Sequence, residues 1–227
     1  MEVTYHGHSA VSIVTATGTR IVIDPFFSGN PKADISADDV GADYILLTHG
    51  HSDHIGDMVA IARRESATVI GMVEICHYAE SWGVQKTHGM NLGGSFDFPF
   101  GRVKLVPALH SSGLEVGGKM LYMGEPAGLI LEIDGKTIYH AGDTAYFRDM
   151  ELLGEAFAID LALLPIGDNF TMGPAEAAMA ATSVQAKKVV PIHYNTFPVI
   201  QQDPHQFLDL LPPGVGQIML PGETLIL

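Results

Sequence analysis

Between Thr48 and His54 the chain reads Thr-His-Gly-His-Ser-Asp-His, which sets three imidazoles (His49, His51, His54) and a carboxylate (Asp53) within six residues. Imidazole nitrogen and carboxylate oxygen are the donors that zinc and similar divalent ions take from proteins. Drawn as an extended loop, His49, His51 and Asp53 project to one side and His54 to the other, so the spacing implies two adjacent ions. A solvated histidine-rich turn would have no reason to lie between an apolar run at residues 44–48 and a following segment in which Ile55, Met58, Val59 and Ala62 fall at helical spacing.

This segment resembles the HxHxDH motif of the metallo-β-lactamase superfamily, and the resemblance covers nearly the whole chain. In that superfamily a later histidine completes a first site, an aspartate bridges both ions, and a last histidine completes the second. The resemblance implies that His110, after Val106-Pro107-Ala108-Leu109, joins His49 and His51. It implies that His193, after Val189-Val190-Pro191-Ile192, joins Asp53 and His54, and that Asp143, in Tyr139-His140-Ala141-Gly142-Asp143-Thr144, is the bridge. It also implies an α/β (α+β) fold, a four-layer αββα sandwich, holding two divalent ions. Zinc is the first choice, and manganese, iron or nickel suits the same donors. The implied reaction is hydrolysis of an ester, lactone or phosphodiester bond in a small substrate by a hydroxide held between the ions and oriented by Asp53. The alternative is a metal-binding or sensing protein that keeps the fold without catalysis. Such a protein would be expected to lose ligands, and here all seven positions are filled.

Departures from the pattern narrow the branch. β-Lactamases and glyoxalase II enzymes usually continue the third histidine into a Gly-His-Thr/Ser-Pro-Gly-like turn, where this chain has Leu109-His110-Ser111-Ser112-Gly113. Flavodiiron oxidoreductases carry a glutamate at the position of His51 and a flavodoxin domain, and nuclease branches add an arm or inserted domain. The opening Tyr5-His6-Gly7-His8-Ser9-Ala10, with Ile23-Asp24-Pro25-Phe26, is similar to the little-characterised metal-dependent hydrolases near the ascorbate-phosphate lactonases and N-acyl phospholipid phosphodiesterases.

Further residues are candidates around this centre. His8, on the first turn, could hydrogen-bond substrate or a ligand carboxylate, or simply hold the turn. Asp24 could orient a metal histidine as an outer acceptor, although Asp before Pro is also an ordinary strand end. His140 could act as a catalytic proton donor or pack beneath the Asp143 loop, and Asn169 could contact substrate or belong to a plain polar turn. His6 reads as a strand residue facing solvent or a sheet neighbour. His77, His88, His205 and Trp82 lie outside any ligand pattern and read as surface or packing residues.

The elements that must position these groups are short strands interspersed with helices. Strand-like runs fall at residues 11–14, 20–24, 44–48, 96–98, 102–109, 129–133, 137–139, 160–165 and 188–192. Helical patterns fall at 72–82, ending at Gly83, near 146–153, and at 174–184, where Pro174 suits a first turn. Residues 113–128 read as a Gly-containing loop over the site. No linker interrupts the chain, which reads as a single domain over 1–227.

Composition sets the outer bounds. Asp and Glu outnumber Lys and Arg by 26 to 12, a formal charge of −14, so the surface repels phosphate backbones and a nucleic-acid partner is excluded. Two divalent ions would offset part of that charge locally, so a small-molecule substrate remains, an anionic one included. No apolar run approaches the ~18 residues of a membrane span, and the expected location is the cytoplasm. Cys76 has no partner cysteine, which fits a reducing compartment and a role as buried apolar filler.

Overall fold

The computed structural model describes residues 1–227. The chain opens with β1 (Glu2–Tyr5), β2 (Val11–Val14), β3 (Arg20–Ile23) and β4 (Tyr44–Leu46). Burial alternates along β1 and β2, whereas Ile21 to Ile23 are all buried, the pattern expected of a strand covered on both faces. After β4 come two short helices, α1 (Ser52–Ile55) and α2 (Met58–Glu65), then β5 (Thr68–Met72), α3 (Val73–Ser81) and β6 (Thr87–Met90). Met58, Ile61 and Ala62 give α2 its buried stripe, and the left-handed Ser66 (φ 55°) ends it.

The second half carries β7 (Ser95–Phe98), β8 (Gly101–Pro107), β9 (Gly113–Val116), β10 (Lys119–Tyr122), β11 (Ala127–Ile133) and β12 (Lys136–His140). It continues with α4 (Met150–Ala156), β13 (Leu161–Pro165), α5 (Pro174–Ser183), β14 (Lys188–Ile192), α6 (Pro204–Leu208) and β15 (Thr224–Ile226). Of residues 113–128, expected to be a loop, 113–122 instead form the β9–β10 hairpin, closed by the Gly117-Gly118 turn with both glycines at positive φ, and 127–128 open β11. The helix expected near 146–153 begins at Met150, because backbone bonds from Met150 to Phe147 and from Glu151 to Arg148 make a tight turn first.

Two sheets result, of order β15-β1-β2-β3-β4-β5-β6 and β14-β13-β12-β11-β8-β7, with β9–β10 separate. A core cluster of 41 residues runs through both sheets and under α2 and α3, while a second, of 20, lies between the second sheet and α4 to α6. This is the αββα sandwich. The pairings have a functional consequence. β1 runs parallel to β3 and β4, since two antiparallel steps separate β1 from β3, and by the same reasoning β8 runs parallel to β12, β13 and β14. The residues that follow β1, β4, β8, β12 and β14 therefore leave the sheets at carboxyl ends, where open α/β sheets build their sites.

Candidate metal centre

His8 follows β1, the 49–54 run follows β4, His110 follows β8, Asp143 follows β12, and His193 comes directly after β14. Their donor atoms gather into two groups, His49, His51, His110 with Asp143, and His8, Asp53, His54 with His193; within each group the atoms lie within 4.8 Å of one another. Sequence spacing had placed the motif on an extended loop. Instead His51 caps a helical turn, with Ile55 N–H donating to its carbonyl at 2.9 Å, so Asp53 and His54 diverge because they are successive helical residues. Gly50 makes the close approach possible: a Cβ there would sit 2.1 Å from Met123 Cβ, and its N–H donates to Ser112 Oγ at 3.0 Å.

In the first group His49 Nε2 lies 2.9 Å from His51 Nδ1, which is 3.2 Å from His110 Nε2. Asp143 Oδ2 lies 3.5 Å from His110 Nε2 and 3.9 Å from His49 Nε2. A tetrahedron built on Zn–N bonds of 2.0–2.1 Å has edges of about 3.3 Å, so this cluster of inward nitrogens fits one ion. The outer nitrogens are engaged. His49 Nδ1–H donates to Thr48 Oγ1 at 3.0 Å, and His51 Nε2–H donates to the Ser111 hydroxyl at 3.2 Å. Burial pushes His49, His51 and His110 below the usual imidazole range, favouring the neutral form that binds metal.

Asp143 also reaches the second group, where its Oδ1 faces His54 Nε2 at 3.4 Å and its Oδ2 lies 3.0 Å from His193 Nε2. His54 Nε2 and Asp143 Oδ1 are both buried and neither has a hydrogen-bond partner. Such orphaned groups are costly unless something charged sits between them, and a divalent cation fits that donor set. Burial alone would lower the His54 pKa, but Asp143 and Asp24 outweigh it and hold the imidazole well above its ordinary value. The same pairing reverses the effect of burial on Asp143, which His193 and His54 keep well below the carboxylate range.

Asp24, fully buried, accepts from Thr48 N–H at 2.9 Å, Thr48 Oγ1–H at 2.6 Å and His54 Nδ1–H at 2.7 Å. It thus orients His54 directly and His49 through Thr48. His8, also fully buried and at positive φ (57°), donates through Nε2–H to Asp53 Oδ2 at 3.0 Å, and its Nδ1 lies 2.9 Å from Thr196 Oγ1. Burial first, and then His193, lowers the His8 pKa to about 4.

Two further candidates take other places. His140 is not set to deliver a proton: Nε2–H donates to Ser9 O at 3.0 Å and Nδ1 accepts from Gly142 N–H at 3.1 Å, so both ring nitrogens are spent on backbone beneath the Asp143 loop. Asn169 sits on an exposed left-handed turn after β13, where its N–H is bonded to Asp168 Oδ1, and its neighbour Phe170 lines the cleft instead. His6 is buried rather than solvent-facing, bonded to Asp34 and Ser12 at 2.8 Å each. Sequence reasoning missed Thr48, Ser111 and Thr196 as partners of the histidines, and Ser112 as the acceptor for the Gly50 N–H. The polar pair directly after His110 was a readable signal, whereas nothing in the sequence tied Thr196 to His8, 188 residues away.

Comparison with known proteins gives the family. A β-lactamase superfamily domain model matches residues 19–194. The chain is 56% identical over its full length to a UPF0173 metal-dependent hydrolase of Enterococcus faecalis, all of which is covered. It is 53% identical to the UPF0173 metal-dependent hydrolase YtkL of Bacillus subtilis, with 99% of each chain covered. Among solved structures, the metallo hydrolase Igni18 of Ignicoccus hospitalis superposes with a TM-score of 0.87 at 36% identity, covering 99% of this chain and 97% of Igni18. An isothiocyanate hydrolase from Delia radicum gut bacteria shares the fold at TM-score 0.79 and 16% identity, covering 100% and 99%.

Proposed function

Because the chain belongs to the UPF0173 metal-dependent hydrolases of the metallo-β-lactamase superfamily, we propose that it holds two divalent ions, zinc foremost, and hydrolyses an ester, lactone or phosphodiester bond in a small substrate. The observation that carries this reading is the position of Asp143, a buried carboxylate of the first group whose oxygens also reach His54 and His193 of the second, with an unpartnered oxygen facing the unpartnered Nε2 of His54. His49, His51 and His110 would hold one ion, Asp53, His54 and His193 the other, with Asp143 common to both. When bound, such ions supply Lewis acidity toward a scissile carbonyl or phosphoryl oxygen and lower the pKa of water from 15.7 toward ~7.

The protein's own contribution is orientation. Asp24 fixes the His54 and His49 rings, so their inward nitrogens cannot turn away. Asp53 is the more accessible carboxylate of the centre, its side chain 25% exposed against 3% for Asp143. His8 occupies one Asp53 oxygen, leaving the other to accept from an attacking water and hold its direction. The lone buried Cys76 suits a reducing cytoplasm, no helix is long and apolar enough to cross a membrane, and the charge of −14 disfavours nucleic acid.

The test is a panel of p-nitrophenyl esters, lactones and bis-p-nitrophenyl phosphate, run alongside elemental analysis of the same sample. Turnover that chelation abolishes and added metal restores, with close to two ions per chain, supports the reading. Two tightly held ions with no turnover anywhere on the panel would favour the metal-binding or sensing alternative.

A further inference from the structure

Resting on the hydrolytic reading, we propose that the substrate is an uncharged ester or lactone whose aryl or short branched-alkyl group seats against Phe26, Phe170 and Phe197, and that relatives bearing a carboxylate or phosphate are rejected.

Three connected hollows open onto the centre. A cleft of about 710 Å³ beside Asp53 is walled by Phe26, Phe170, Phe197 and Val199. A second, of about 460 Å³, lies between His51, His110 and the hairpin residues Met120, Leu121 and Tyr122. A third, of about 490 Å³, joins His51 and Asp53 to Glu115 and Met120. Volumes of this size suit small ligands.

The charge of the lining decides what kind of ligand. No lysine or arginine lines any of the three, and the carboxylates in their lining are Asp53, Asp57, Glu115 and Glu125. Recognition of a carboxylate or phosphate calls for a guanidinium fork, an ammonium or a cluster of N–H donors. Here an anionic flank would meet carboxylates of its own sign and the field of a chain carrying −14. Ions held by the two donor groups would act most strongly on the nearest, reacting oxygen, and the flank beyond it would meet the acidic lining.

The aromatic wall is built in advance. The His8 ring lies 5.5 Å from both Phe26 and Phe197, which are 6.3 Å from each other. Gly56 lets α1 press against the Phe26 turn, since a Cβ there would fall 2.7 Å from Phe26 Cα. Asp57 Oδ2 accepts from the N–H groups of Phe27 and Ser28 at 3.0 and 2.8 Å, so this carboxylate serves the wall rather than a cation. Phe170 and Val199 remain 54% and 58% exposed at its rim, apolar surface that a neutral apolar group would cover.

The experiment uses the full-length, zinc-reconstituted protein and p-nitrophenyl phenylacetate against the hemisuccinate, with bis-p-nitrophenyl phosphate as the phosphodiester. We expect kcat/KM to favour the phenylacetate by at least ~10-fold over both, and added salt to raise kcat/KM for the two anionic compounds but not for the phenylacetate. Phe197→Ala should raise KM for the phenylacetate more than for the acetate ester. Val199→Lys, at an exposed rim position, should improve the hemisuccinate while weakening the phenylacetate. Metal-dependent turnover that prefers the hemisuccinate or the phosphodiester overturns this inference and leaves the hydrolytic reading standing. If no compound turns over, the hydrolytic reading fails, and saturation-transfer NMR decides the cleft separately. Contact with phenylacetamide, lost in Phe197→Ala and absent for succinamate, supports the apolar seat; the reverse preference overturns it.

Discussion

His8, His54 and His193 lie at 0 to 1% exposure behind Asp53, whereas His51 and His110 stand half-buried at the mouth of the cleft. The outer partner of His54 is the fully buried Asp24 carboxylate, while the outer partner of His51 is the exposed hydroxyl of Ser111. One side of the centre is thus fixed by a charged hydrogen bond out of reach of water, and the other by a neutral contact that water can replace. A charge-assisted bond in a dry site is the stronger restraint. His49, fully buried and tied to Asp24 through Thr48, belongs with His54 on the restrained side, so the contrast sets these two against His51 and His110, which face the side open to water.

The largest expected effect removes what the groups share. Asp143→Asn should lower activity by more than the ~10–100-fold typical of losing an outer-shell partner, and metal content should fall on both sides, because a neutral amide neither balances two cations nor bridges them. Elemental analysis with steady-state kinetics reads both. Retention of one ion at full occupancy would show that the groups are independent and that Asp143 serves only one.

The same contrast explains what was readable in the sequence. The donors themselves stand in a dense motif or directly after apolar strands, and spacing reports them well. Asp24 was legible as an outer acceptor for a metal histidine, the part it plays toward His54, but its Thr48 link to His49 depends on the parallel pairing of β3 with β4, which no local pattern encodes. The hairpin at 113–122 was hidden by its glycines, which read as loop although Gly117 and Gly118 merely turn the chain between two strands. His140 was open to two readings, proton donor or packing beneath the Asp143 loop, and only the fold decides: at the buried end of β12 backbone groups consume both its nitrogens.

A pair of outer substitutions sharpens the comparison. Asp24→Asn should cost about 10–100-fold in metal affinity, and Ser111→Ala less than about tenfold, since water can take the place of an exposed hydroxyl. Competition with a chromophoric chelator measures both. Equal losses would mean that burial of the outer partner does not matter here. Gly50→Ala should act through packing, its Cβ forced against Met123, and should lower Tm as well as metal affinity.

The smallest effect is a pH dependence of the metal-free protein, and it carries opposite signs from different histidines. Burial holds His49, His51 and His110 below their ordinary value and His8 at about 4, while the unfolded chain titrates near ~6.5. Between about pH 4 and ~6.5 the unfolded state therefore binds protons that the native state refuses, and stability rises with pH across that window. His54 works the other way. Its folded pKa is raised by Asp143 and Asp24, so its contribution is fully present below ~6.5 and is lost as pH rises through the higher folded value. Chelated protein should accordingly show an acid limb set by the lowered histidines and a decline above neutrality set by His54. Bound metal must displace the His54 proton, so the metal-loaded protein should lose the alkaline decline and keep the acid limb. Thermal unfolding from pH 4 to 9, with and without chelator and at fixed free metal, separates the limbs. His8→Gln should shallow the acid limb, and His54→Gln should remove the alkaline one from the chelated protein. An alkaline decline that survives His54→Gln would place the retained proton elsewhere and dissolve the distinction between the two groups.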